Sequence, residues 1–211
     1  MPEAGADPAL VAAWLSARST ARGLPQPVPD HGGLRVDTKA PTEKRRYVFA
    51  RPCDGLAVLG GTIDEAHVPL KLCASANVLA GLVGPRWVVD DSAAMMMCEA
   101  AMPVRDTPGG YGLTIDEDGG VFRCNIRAVS GEHAASGYAV ENAGAFVFDR
   151  IVTEPAHQRR GLGSAMMAAL AARRRSSESR FVLVATVAGR ALYESLGWLV
   201  VAPYATATLR P

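Results

Sequence analysis

The feature that most constrains the fold is an order of strand, helix, strand, helix, strand that the chain spells twice. In the second half it runs AFVFDRIVT, a glycine-bearing loop, SAMMAALAARRR, RFVLVATV, GRALYESLG and WLVVAPYATATL, the last a strand or a pair. In the first half it runs RRYVFA, DGLAVLGGTIDE, VPLKLCA, SANVLAGLVG and PRWVVDDSAAMMMC, the last a strand or a bent pair. Short β-branched and aromatic runs alternating with helical apolar spacing predict an α/β protein. LAGLVGPRWVV in the first copy echoes YESLGWLVV in the second. The first copy therefore reads as a degenerate half-domain, although two short αβ runs also look alike by chance.

Between the copies, LTIDEDGG, VFRCNIRAVSG and ASGYAVENAG read as hairpin-connected strands with Gly119-Gly120 and Gly144 at the turns. Such turns join antiparallel neighbours. Ahead of the first copy, Asp7 to Gly23 reads as a helix capped by Asp7, with Pro8 in the first turn and Leu10, Val11, Trp14 and Leu15 on one face. The proline-rich GLPQPVPDHGG that follows is expected to be irregular and to wrap the surface. This gives two regions. Residues 1–103 hold the helix, the proline-rich segment and the degenerate half-domain, and residues 104–211 hold the second domain.

A chain of 211 residues, 49% apolar, can bury a substantial core. Its formal net charge of +1 gives no electrostatic case for nucleic acid or an anionic membrane, so any anion site must be local. The N-terminus carries acids where a secretory signal would carry cations, and no apolar run spans a bilayer. A cytoplasmic protein is expected. Cys53, Cys73, Cys98 and Cys124 are spread without a CxxC pair or a histidine at ligand spacing, which predicts reduced thiols and no metal. Oligomeric state is not legible.

The densest chemistry lies in PAHQRRGLGSAMM, Pro155 to Met167. Gly161 and Gly163 let the backbone turn sharply, a helix start offers free N–H groups, and Arg159 and Arg160 add charged donors. An ordinary strand-to-helix turn with solvated arginines is the alternative. A phosphate-binding P-loop needs lysine after its last glycine, where Ser164 stands. A dinucleotide fingerprint needs a small residue at Met166 and an acid at the end of the next strand, and has neither.

The loop of form Gln-x-x-Gly-x-Gly together with LYESLGW resembles the GNAT superfamily of acyl-CoA-dependent N-acyltransferases, over about Tyr111 to Leu209. The resemblance implies a mixed, mostly antiparallel twisted sheet with a splayed strand pair. It also implies that Ile151, Val152 and Thr153 offer main-chain groups to the pantetheine and thioester. Gln158, Arg159, Arg160, Gly161, Leu162, Gly163 and Ser164 would surround the pyrophosphate of acetyl-CoA. Thr186 stands where many members carry asparagine, and would contact the cofactor arm less fully. Tyr193 occupies the place of the residue that protonates the departing sulfur, with ordinary packing as the alternative. Asp149 occupies the place of an acid directed at the amine, with a solvated strand face as the alternative.

The implied reaction moves acetyl from acetyl-CoA to an amine of a small molecule or peptide by direct attack through a tetrahedral intermediate. A backbone N–H around Val152 is expected to meet the oxyanion. The rival is a non-catalytic acyl-CoA-binding or sensing module. His133 and His157 have no partner recognisable in the sequence, Arg173 to Arg175 read as a solvated helix end, and Met95 to Met97 as core or pocket lining.

Overall fold

The computed structural model describes residues 5–209. Helix α1 (Pro8–Ala21) comes first, followed by strands β1 (Val28–Asp30) and β2 (Gly33–Val36). The first repeat is β3 (Arg46–Phe49), α2 (Asp54–Thr62), β4 (Leu70–Leu72), α3 (Ala76–Val83) and β5 (Trp87–Cys98). A meander follows: β6 (Tyr111–Asp118), β7 (Val121–Ala128) and β8 (His133–Asn142). The second repeat is β9 (Ala145–Thr153), a 3₁₀ turn at Pro155–His157, α4 (Leu162–Ala171), β10 (Arg180–Thr186), α5 (Val187–Ser195) and β11 (Leu199–Leu209).

All eleven strands share one sheet in the order β1-β2-β3-β4-β11-β5-β10-β9-β8-β7-β6. The order ascends from β1 and descends to β6, with β11 and β5 exchanged where the two runs meet. The last strand of each repeat lies beside the other repeat, β11 against β4 and β5 against β10. The expected boundary at residue 103 thus falls just after a strand that lies between β10 and β11. Two neighbours are parallel, β3 with β4 and β9 with β10, and the rest are antiparallel. Each parallel pair is bridged by a helix, as parallel strands require.

Period-two alternation divides the core between the two faces of the sheet. Phe146, Phe148, Phe181 and Leu183 pack with Leu162, Met166, Tyr193 and Trp198 on the α4/α5 face. Val147, Val182, Val140, Val48 and Tyr204 pack with Leu10, Trp14 and Leu15 of α1 on the opposite face. Asp7 caps α1 by accepting from the Ala9 N–H at 3.0 Å. Trp14 is fully buried, edge-on to Tyr204 at 5.7 Å, and burial of such a ring stabilises by about 1.5–3 kcal/mol.

The proline-rich segment departs from expectation. Val28-Pro29-Asp30 is not irregular but pairs with Gly33 to Arg35 as a hairpin on the sheet edge. Pro29 is tolerated there because an edge strand needs ladder bonds on one side only. The long runs expected as strands or pairs, PRWVVDDSAAMMMC and WLVVAPYATATL, each form one strand, with bulges where they pair near Tyr204 and Val200.

Candidate active site

The site begins where β9 and β10 part. They pair only through Ala145, Phe146 and Val147 against Arg180, Phe181 and Val182. Beyond that point β10 stays with β5 as far as Thr186 and β9 stays with β8 as far as Thr153, so a gap opens between them. A cleft of about 620 Å³ occupies this gap, lined among others by Phe148, Asp149, Ile151, Val152, Thr186 and Tyr193. It is continuous with a groove of about 520 Å³ along the glycine loop, the two sharing Thr153, Gln158 and Ala188.

A bulge shapes the β9 wall. Ser136 opposes Val152 while Tyr138 opposes Asp149, so β9 carries one extra residue, and Arg150 adopts φ 52° within it. Gly137 makes room opposite, since a Cβ there would lie 2.5 Å from Ile151 Cδ1. The register also decides which amides are free. The Glu154 N–H donates to the Ala134 carbonyl at 2.9 Å, which makes Val152 and Ser136 the next hydrogen-bonded pair. The N–H of Val152 therefore points to β8, away from the cleft. Thr153, the next residue of the ladder, turns its main-chain groups towards the gap, and Ile151, within the bulge, lines the cleft. Of the main-chain N–H groups expected around Val152, that of Val152 itself is therefore taken up by β8.

The loop brings together most of its expected residues. Arg159 (φ 62°) and Gly161 (φ 80°) are both left-handed, which turns the chain into α4. Arg159, Gly161, Leu162, Gly163 and Ser164 line the groove with Gln158, whose amide donates to the Thr153 carbonyl at 3.2 Å. Arg159 is exposed and makes no ion pair or hydrogen bond to the described residues. A Cβ on Gly161 would meet only Pro108 Cγ at 3.8 Å, whereas one on Gly163 would lie 2.8 Å from Leu192 Cδ2. Gly163 therefore serves the packing of α4 on α5, and Gly161 the turn itself.

Arg160 does not line the groove. Its guanidinium donates to the Tyr111 hydroxyl at 3.0 Å and to the Ala156 carbonyl at 3.2 Å. Tyr111 in turn meets Nδ1 of buried His157 at 3.0 Å, and His157 Nε2 lies 3.5 Å from Glu132. His157 thus has partners that the sequence did not reveal, because Tyr111 lies on a distant strand. His133 faces Glu154 at 3.6 Å.

At the cleft's far end Tyr193 is buried, with its ring 6.0 Å from that of Trp198. Burial, with a smaller contribution from Asp149, pushes its phenol up to about 12. Thr186 caps α5, its hydroxyl accepting from the Gly189 N–H at 3.3 Å. Asp149 lies on the α1 face of β9, neither solvated nor free. Arg22, just past the end of α1, donates to its two oxygens at 2.6 and 2.8 Å, and Arg18 Nε lies 3.7 Å away. The first half of the chain thus builds one wall of the cleft. Among the described residues no histidine, cysteine and carboxylate group could hold a metal. None of their helices is long and apolar enough to cross a membrane.

The family model for an acetyltransferase (GNAT) domain matches residues 113–199, the segment that holds the splay, the loop and Tyr193. Residues 113–199 form a GNAT domain. Solved structures extend the likeness of fold across the chain. A GCN5-related N-acetyltransferase from Kribbella flavida is similar with a TM-score of 0.68 and 15% identity, over 98% of this chain and 96% of its own. A putative GNAT acetyltransferase from Novosphingobium aromaticivorans is similar with a TM-score of 0.53 and 18% identity, over 96% and 97%. A tandem GNAT protein from the clavulanic acid biosynthesis pathway is similar with a TM-score of 0.52 and 12% identity, over 68% and 64%. No curated protein sequence matches the chain significantly. The GNAT fold supports an acyl-CoA-dependent acyltransferase, and the fold of the first half belongs to the same likeness.

Proposed function

We propose that the chain is an N-acetyltransferase that moves acetyl from acetyl-CoA to an amine of a small molecule or peptide. The observation that carries this reading is the uninterrupted path from the Arg159 and Gly161 loop, through the splay of β9 and β10, to Tyr193. Arg159 and the amides at the start of α4 hold the pyrophosphate, and the main chain of Ile151 and Thr153 lines the pantetheine arm. Acetyl-CoA supplies an activated thioester. The lone pair of a neutral amine forms the C–N bond at its carbonyl carbon, and an N–H of Ile151 or Thr153 meets the oxyanion. As the C–S bond breaks, the Tyr193 hydroxyl gives its proton to sulfur, and the proton of the former amine leaves to water, from which the tyrosine is reprotonated. A phenol pushed up to about 12 stays protonated through the neutral range, as a donor must.

Asp149 takes a positioning part in this reading. Two charge-assisted bonds from Arg22 occupy both of its oxygens, and its task is to anchor that arginine. The same observation, with the Thr186 hydroxyl committed to its cap, favours a second reading as a non-catalytic acyl-CoA-binding module. A thiol-release assay with acetyl-CoA and a panel of amines, amino acids and peptides separates the two. Transfer predicts one thiol released per N-acetylated product, and binding of coenzyme A without amine-dependent release would leave only the second reading.

A further inference from the structure

The cleft has a second chemical character that the transfer of acetyl does not require. Five charged side chains line it, namely Arg18, Arg22, Lys71 and Arg150 as cations and Asp149 as the single anion. They come from α1, its C-terminal end, β4 and the β9 bulge, elements far apart in sequence. Asp149 is occupied by Arg22 at 2.6 and 2.8 Å. Arg150, half-exposed, lies over the Tyr138 ring at 5.4 Å. Arg18 and Lys71 are left with weak partners. Arg18 has Asp149 at 3.7 Å and the Trp14 ring at 5.5 Å, and Lys71 has the Thr206 hydroxyl at 3.3 Å and the Tyr204 ring at 6.0 Å. Cations held out of water with so little compensation are costly unless an anion joins them.

The field in the cleft agrees. Burial holds both Arg18 and Lys71 below their ordinary values. Arg22 depresses both further, and Arg18 depresses Lys71, against the opposing pull of Asp149 on Arg18 and of Glu43 and Asp90 on Lys71. Glu43 is itself paired with Arg46, and Asp90 accepts from Ser92.

The face matters as much as the sign. Lys71 is in register with Val48, which packs on the α1 side, and Asp149 follows Val147 and Phe148 in alternation onto that same side. The glycine loop and α5 belong to the opposite face. An acetyl-CoA that enters along the loop meets these cations only past its thioester, where the acceptor must stand.

Building on the acetyltransferase reading, we propose that the acceptor is an anionic amine, one whose carboxylate or phosphate is held by Arg18 and Lys71 while its nitrogen faces the splay. Charge-assisted donors from two elements then fix the acceptor's orientation before attack. Without the first half of the chain this subsite would not exist.

The test compares matched acceptors with the full chain and acetyl-CoA: α-amino acids against their amides, and phosphoethanolamine against ethanolamine. The amide's less basic amine favours the neutral member of the first pair, so an anionic preference there is not an effect of protonation. The anionic member of at least one pair should have a kcat/KM at least tenfold higher, and which pair responds tells carboxylate from phosphate. Lys71→Gln and Arg18→Gln should each reduce that ratio towards one, mainly through KM, while Lys71→Arg keeps it. Equal use of both members, a preference that survives both substitutions, or a preference for succinyl-CoA over acetyl-CoA with neutral amines would overturn the proposal. If no amine is turned over, calorimetry of the same amines with coenzyme A-loaded protein decides. Binding of the anionic members that Lys71→Gln and Arg18→Gln abolish would support the anion site while refuting transfer, and no such binding would overturn the site.

Discussion

The two repeats are built alike and differ where a ligand would bind. Each is a parallel strand pair bridged by a helix, followed by a second helix and an exchanged last strand. In the second repeat eight residues separate β9 from α4, two of them left-handed, and the start of α4 borders an open groove. In the first repeat only Ala50 to Cys53 separate β3 from α2, Asp54 opens the helix, and the main chain of His31 covers its start. Gly55 permits that contact, since a Cβ there would lie 1.9 Å from the His31 carbonyl oxygen. An oxygen and a carboxylate at a helix N-terminus occupy and repel what a phosphate would need. Ala6 seals the end of β3 by donating to the Ala50 carbonyl at 2.8 Å. One scaffold thus supports a binding unit and a unit whose corresponding place is filled by its own chain.

The largest effect is expected at the two glycines that the comparison sets against each other, Gly161 at the N-cap of α4 and Gly55 in the first turn of α2. Gly161→Val places a branched side chain at φ 80° beside the proposed pyrophosphate and should abolish coenzyme A binding by calorimetry in protein that remains folded. Gly55→Ala should instead cost stability, about 1–3 kcal/mol in urea unfolding, with coenzyme A affinity unchanged in the folded fraction. If the two variants exchanged phenotypes, the comparison would be broken.

Next in size is Tyr193→Phe, which keeps the ring against Trp198 and removes the donor. A general acid contributes roughly 10²- to 10⁴-fold, so kcat in the thiol-release assay should fall by about that much with acetyl-CoA binding preserved. Turnover within about twofold of the parent would assign Tyr193 to packing. Because its phenol is pushed up to about 12, kcat should show no alkaline loss near pH 10, where an ordinary tyrosine would ionise.

The smallest effects concern the link between the halves. Asp149→Asn removes charge-assisted bonds from Arg22 and should lower stability by about 1.5–3 kcal/mol, with a milder effect on kcat than Tyr193→Phe. A loss of kcat as deep as that of Tyr193→Phe, without loss of stability, would restore Asp149 as the base.

Legibility in the sequence followed the range of the interactions. The repeats, α1 with its Asp7 cap, the Gly119-Gly120 turn and the loop were readable because each rests on neighbours in the chain. The edge hairpin at Pro29 was not, since a strand's tolerance of proline depends on which side of it is paired. The exchange of β5 and β11 was hidden for a similar reason, as periodicity is silent on neighbours. At the site, the loop and Tyr193 came from local motifs. The pairing of Asp149 with Arg22, the Arg160–Tyr111–His157 chain and the cations of α1 and β4 join residues distant in sequence, and only the fold brings them together.

The central claim is that one of two similar units holds the cofactor, and counting acetyl-CoA on the intact chain by native mass spectrometry tests it most directly. The account predicts one molecule per chain in the parent and in Gly55→Ala, and none in Gly161→Val. Two molecules per chain, or one that survives Gly161→Val in folded protein, would contradict it.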